Sequence, residues 1–408
     1  MRVRTATVRR AGGAVLGAVA LVAAGVVAQA APAPAANADT LIVVAVDGDD
    51  AAAGTVEEPL ATIQAAVDRA APGDTIAIRG GTYELSDANI TIATDGEPGN
   101  PITLGPYEDE HVVIDGDQLP ASHTPVGGSI PRAERGSIHM EAAYWNIHGL
   151  ELIRGPYGVY CDGCVGNEFR DLTTRDNYET GFQLQGASSD NLIANLDSYD
   201  NHDPRKNGES ADGLGIKEGS GAGNRVTGAR LWHNADDGFD AWEFLSAIEI
   251  TDSIAYGNGV NRWDFPDWQG DGNGFKMGGG DEDLPADHTL SNSIAFDNAA
   301  DGVTDNGNPG AMDVSHTTTF GNGDTGFQVD RSQSTLTANL SVADATPVSL
   351  GSSTSVDNSW DLGGDWNEDA LLSTDPAAIT GPRSPDGSIP SAPEFLVPRD
   401  GTPVGARF

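Results

Sequence analysis

Past residue 40 the apolar positions fall into runs too short for most helices. Leu41-Ile42-Val43-Val44 and Thr75-Ile76-Ala77-Ile78 read as four-residue strands, the second followed by the turn Arg79-Gly80-Gly81. Residues 59–71 differ: Leu60, Ile63, Val67 and Ala70 make one apolar stripe, Pro59 suits a first turn, and Pro72-Gly73 ends the element. This pattern predicts one short capping helix followed by an all-β body.

From about residue 140 the pattern repeats. An Asn-containing turn precedes a Gly-plus-apolar pair at Asn177…Gly181-Phe182, Asn201…Gly213-Leu214, Asn234…Gly238-Phe239, Asn258…Gly274-Phe275, Asn298…Gly302-Val303 and Asn322…Gly326-Phe327. Successive Asn residues are 24, 33, 24, 40 and 24 apart. A constant minimum with occasional insertions describes a fixed coil that carries variable loops. Propeller hairpins and a leucine-rich pattern are both missing. The expected fold is a right-handed parallel β-helix of about ten coils, with same-phase residues on neighbouring coils stacked ~4.8 Å apart. The turn asparagines should then form an internal ladder, which is a structural role. Residues 39–408 are read as one domain, with an N-terminal cap over 39–85 and an extended tail over 384–408 packed along the helix.

Residues 1–38 stand apart. Arg2, Arg4, Arg9 and Arg10 precede an apolar run over residues 14–28, and small residues follow to Ala38. That order is a secretory signal peptide, with cleavage after Ala38 or Ala30, and the apolar run is too short to span a bilayer. Arg9-Arg10 leaves a twin-arginine route open. A secreted, extracellular protein is expected, and no membrane partner.

Charge sharpens the picture. The formal charge of −39 becomes −43 once the leader's four arginines are removed, which argues against nucleic acid or anionic lipid as partner. An anionic substrate would need a local cation. Cys161 and Cys164 have no second pair to complete a zinc site, and a local disulfide across a turn is expected in an exported protein. Against 19 arginines there are three lysines, Lys206, Lys217 and Lys276, all within one 71-residue stretch. Arginine cannot readily become a neutral base, so a retained lysine is a candidate for chemistry.

Stacking the coils concentrates these residues. Aligning Leu214, Phe239 and Phe275 puts Gly215, Asp240 and Lys276 in one outward column. A 24-residue step places Asp236 over Asp212. Asp212, Asp236, Asp237 and Asp240 thus converge, with Lys276 on the next coil. Clustered carboxylates repel unless a cation compensates them, and an all-oxygen set of this size favours Ca²⁺. Calcium on an open surface could take a uronate carboxylate, and a neutral Lys276 could remove the adjacent C5 proton. The competing role for Lys276 is an ion pair with Asp240. Lys217 is read as a substrate-carboxylate ligand or an acid's partner. Residues 261–270 carry Arg262, Trp263 and Trp268, suited to stacking on sugar rings or to packing on the helix.

These residues resemble polysaccharide lyase family 9, the calcium-dependent pectate lyases. The resemblance rests on Ala211-Asp212-Gly213, on Asp236-Asp237-Gly238-Phe239-Asp240-Ala241-Trp242 and on Gly272-Asn273-Gly274-Phe275-Lys276. Gly54-Thr55…Pro59-Leu60-Ala61-Thr62-Ile63 and Pro72-Gly73-Asp74-Thr75-Ile76 are similar to that family's N-terminal cap. The resemblance implies Ca²⁺ on Asp212, Asp236, Asp237 and Asp240, Lys276 as base, and a monomer acting on an acidic polysaccharide such as polygalacturonate. Another uronate polymer, such as rhamnogalacturonan, stays open. A polygalacturonase-like hydrolase would show His-Gly and Arg-Ile-Lys signatures, which are missing. A non-catalytic calcium-stabilised carbohydrate-binding β-helix is the third reading.

Overall fold

The computed structural model describes residues 40–280 and 284–408; the leader read over residues 1–38 lies outside the described residues. Among the described residues there are three parallel sheets, of 12, 10 and 10 strands. Each coil contributes one short strand to each sheet, as in Glu168–Arg170, Thr173–Arg175 and Phe182–Gly186. Every strand pairs with its counterpart one coil away, so the sequence period becomes the stacking order. The architecture is the right-handed parallel β-helix expected from the repeat.

The core is a set of like-on-like columns. In the sheet that will carry the site, Phe182, Leu214, Phe239, Phe275, Val303 and Phe327 are in register and wholly buried. In the 12-stranded sheet Phe169, Ile193, Val226, Ile250, Leu290, Val314 and Leu336 do the same. Burying large apolar side chains in contact with their own kind stabilises each by about 1.5–3 kcal/mol.

The asparagine ladder is present. The side-chain amides of Asn177, Asn201, Asn234, Asn258 and Asn298 each donate to the next rung's Oδ1 at 2.8–3.1 Å. Asn322 closes the run on Asp344 at 2.8 Å. The residue before each rung explains the turn. Asp176, Asp200, His233, Gly257, Asp297 and Gly321 all have φ between 53° and 64°, a left-handed bend that Asp, His and Gly tolerate better than β-branched residues. A second buried ladder, Asn167–Asn191–Asn224, lines another corner.

The capping helix is shorter than its apolar stripe. It spans Ile63–Val67, and its N-cap Thr62 accepts from the Ala65 N–H. Leu60 is buried as expected, but its N–H and C=O pair with Val43 and Ala45, extending the first strand's hydrogen bonding. That pairing excludes Pro59 and Leu60 from the helix. Ile63, Ala66 and Val67 close the N-terminal end of the core.

At the C-terminus, Phe395, Leu396, Val404 and Ala406 are buried against Ile254, Ile294, Phe296, Leu340 and Val342 of the third sheet. The packed segment begins before residue 384, since Leu371 and Ile379 join this cluster and Arg383 donates to Asp197 at 2.7 Å. Cys161 and Cys164 form a disulfide at one turn. Among the described residues, no helix is long and apolar enough to cross a membrane.

Candidate active site

One outward column runs along the second sheet. Thr304, Lys276, Asp240, Gly215, Gln183, Tyr160 and His139 lie in register on successive coils. A cleft of about 540 Å³ opens over its middle, lined among others by Lys276, Asp240, Lys217, Gln183, Asp236 and Asp271. The turns that enter the strands of Leu214, Phe239 and Phe275 supply the remaining acids.

Two lysine–carboxylate groups fill the floor. Lys217 Nζ bridges Asp212 Oδ2 at 2.5 Å and Asp240 Oδ2 at 3.0 Å. Gly215 makes this possible, because a Cβ there would stand 3.1 Å from Lys217 Cε. Lys276 Nζ lies 3.1 Å from Asp237 Oδ2 and 3.0 Å from Asp271 Oδ2, with the Trp242 ring centroid 5.7 Å away. Lys276 therefore pairs with Asp237 and Asp271 rather than with Asp240, and Asp240 is Lys217's partner.

The stacking of the acids differs from the expected one by a residue. Leu214 registers with Phe239, a step of 25, so Asp212 sits beside Asp237, whose N–H donates to Asp212 Oδ1 at 3.3 Å. Asp236 turns toward the next coil and accepts from the Asp271 N–H at 2.6 Å. Asp237 Oδ1 accepts from the Asn273 main chain and side chain at 2.7 and 2.8 Å.

Electrostatics follow from this crowding. Burial pushes Asp212 up to about 6, opposed by Lys217. Burial also pushes Asp237 up to about 7, opposed by Lys276, and drives Asp236 well up with help from Asp237 and Asp212. For Asp240 burial acts the same way, but Lys217 and Lys276 outweigh it and hold the group low. Burial would lower both lysines, yet the surrounding carboxylates win and raise both well above the usual range.

Among the described residues, two overlapping trios of acids could hold a cation. Carboxylate oxygens of Asp212, Asp237 and Asp240 lie within 4.8 Å of one another, as do those of Asp236, Asp237 and Asp271. Asp237 belongs to both, and its buried Oδ2 faces the Lys276 ammonium at 3.1 Å without a well-aligned hydrogen bond. An all-carboxylate set whose shared buried oxygen has only a poorly aligned contact fits a hard divalent ion.

Several site members escaped the sequence reading. Asp271 was missed, although it precedes Lys276 by five residues as Asp212 precedes Lys217. Tyr157, Glu179, Arg135 and Arg205 line the cleft's other end. Arg262, Trp263 and Trp268 are not among the lining residues: Trp263 stacks on His202 at 5.0 Å, and the Trp268 ring lies over Gly208. The insertion instead contributes Gln269 at the cleft edge.

The model of the Pel9A-like right-handed β-helix region matches residues 42–339. The chain belongs to this family. It is 49% identical to "Pectate lyase PEL9" of Emericella nidulans, over 90% of this chain and 94% of that one. It is 32% identical to "Pectate lyase L" of Dickeya dadantii, over 86% and 82%. The crystal structure of pectate lyase Pel9A superposes with a TM-score of 0.76 at 30% identity, covering 88% of each chain. A rhamnogalacturonan lyase superposes equally well at 24% identity, which extends the shared Pel9A-like fold to that protein.

Proposed function

We propose that this protein is a secreted pectate lyase that cleaves polygalacturonate by calcium-assisted β-elimination. The observation that carries the reading is the placement of Lys276 beside Asp240 on one column, ringed by Asp236, Asp237 and Asp271 in an open cleft. The pectate lyases among the relatives support the substrate class.

Asp212, Asp236, Asp237 and Asp240 would hold Ca²⁺, with Asp271 beside them. Bound there, the ion would neutralise a uronate carboxylate and acidify the C5 proton alpha to it. With the ion in place those carboxylates would hold the Lys276 ammonium less strongly, and its amine would be available above neutral pH. Lys276 Nζ takes the C5 proton and the C5–H electrons form the C4–C5 double bond. The C4–O bond breaks, and the departing oxygen collects a proton from solvent. Asp271 and the Trp242 ring keep Nζ over the column.

The test is absorbance of the unsaturated product from polygalacturonate at alkaline pH. A rise that EDTA abolishes, and that Lys276→Ala lowers by about 10²–10⁴-fold, is expected. Reducing ends without that absorbance would sink the reading in favour of hydrolysis, and neither signal would leave a binding module.

A further inference from the structure

The cleft holds five cationic side chains, Arg135, Arg205, Lys206, Lys217 and Lys276. Four of them are paired. Lys217 and Lys276 sit on the aspartates, Arg205 lies 2.6 Å from Glu179, and Lys206 lies 3.9 Å from Glu209. Among the described residues Arg135 has no ion pair. Its guanidinium donates to Tyr160 Oη at 3.2 Å and stands 5.3 Å over that ring. Its buried Nε has no acceptor at all.

Among the described residues Arg135 is thus the cation of the cleft lining that has no carboxylate partner. Glu179, an acid whose charge reaches Arg135, bonds Tyr157 at 2.9 Å and Arg205 at 2.6 Å and makes no ion pair with Arg135. The uncompensated charge and unspent donors of a planar fork are what a bidentate carboxylate requires.

Tyr160 occupies the same outward column as Asp240, three rungs away, roughly 14 Å at ~4.8 Å per rung. A linear polymer lying along the column over Asp240 would pass Tyr160 several sugars later. We propose that Arg135, backed by Tyr160, is a second carboxylate subsite that takes a distal uronate of the bound chain and selects polymers with consecutive uronates. This rests on the lyase reading above for its substrate class. Loss of the side chain should leave the fold intact, because Arg135 holds its neighbours Asn89 and His139 through its main-chain oxygen.

The test uses the full chain with calcium. Arg135→Gln should raise KM for polygalacturonate about tenfold with kcat within about twofold, one charge-assisted contact being lost. Arg135→Lys should recover part of the effect. Binding is read separately from turnover in a Lys276→Ala background. There, Arg135→Gln should weaken hexagalacturonate about tenfold while leaving its methyl-esterified form unchanged. Unchanged KM and binding, or an equal loss on the ester, would overturn the subsite. If the wild type binds the acidic hexamer through Arg135 but yields no unsaturated product, the lyase reading fails and the subsite stands.

Discussion

Truncating one rung of the asparagine ladder should be among the most damaging single changes outside the cleft. Asn234 is wholly buried. Its amide donates to Asn258 Oδ1 at 3.1 Å and to the Ser198 carbonyl at 3.2 Å. Its Oδ1 accepts from the Asn201 amide at 2.8 Å and from the Asn201 main-chain N–H at 3.3 Å. Asn234→Ala removes these bonds, each a net contribution of about 1 kcal/mol. It also strands the Asn201 main-chain N–H in the core, where an unsatisfied donor costs about 1–3 kcal/mol. A loss of about 5–7 kcal/mol is expected, read as a lower urea midpoint by far-ultraviolet circular dichroism. Asn234→Asp keeps the acceptor but turns a carboxylate oxygen toward Asn258 Oδ1 and the Ser198 carbonyl, so it should be no better at neutral pH. Asp344 tolerates the end of the ladder because Thr319 and Ser341 donate to its second oxygen at 2.6 and 2.7 Å. A loss below about 1 kcal/mol for Asn234→Ala would refute the reasoning that the ladder's buried amides bind the coils together.

Three further outcomes are expected. Calcium at a hundredfold excess over its Kd should stabilise the fold by about 2.7 kcal/mol, and Asp237→Ala, which removes the acid common to both trios, should abolish that gain in a thermal melt. Glu179 is raised from 4.5 to about 8 by burial, so the unfolded chain loses its proton first. Stability is full below pH 4.5 and falls as pH rises toward 8, by an amount on the order of a few kcal/mol, and Glu179→Gln should flatten that slope in urea titrations run across pH. The Cys161–Cys164 disulfide closes a loop between residues only three apart in sequence, so opening it with dithiothreitol should lower stability by no more than about 2 kcal/mol.

In a β-helix, a residue's neighbour in space is its counterpart one coil along the chain. Periodicity therefore translates almost directly into contact. The Phe182-to-Phe327 core column, the six-Asn ladder and the adjacency of Asp240 to Lys276 were all legible in the spacing for this reason. The capping stripe was legible too, but not the helix's true start, because Leu60 takes its hydrogen-bond partners from the first strand rather than from its own turn.

What spacing left undecided is whatever depends on side-chain reach or on loops folding back. The step from Leu214 to Phe239 is 25 rather than 24, and that one residue moves Asp212 from Asp236 to Asp237. Lysine's long stem lets Lys217 reach back over Gly215 to Asp212 and forward to Asp240, a choice no sequence period encodes. Residues 261–270 carry aromatics fit for a sugar, but Trp263 finds His202 and Trp268 finds Gly208, while Asp271 at the loop's end joins Lys276. The sequence by itself determined the coil, its core and the meeting of acids with a retained lysine, because those follow from a repeat stacked on itself. Only the tertiary structure decided which acid holds which lysine and left Arg135 unpaired, because those outcomes turn on distances between separate coils and the loops that cover them.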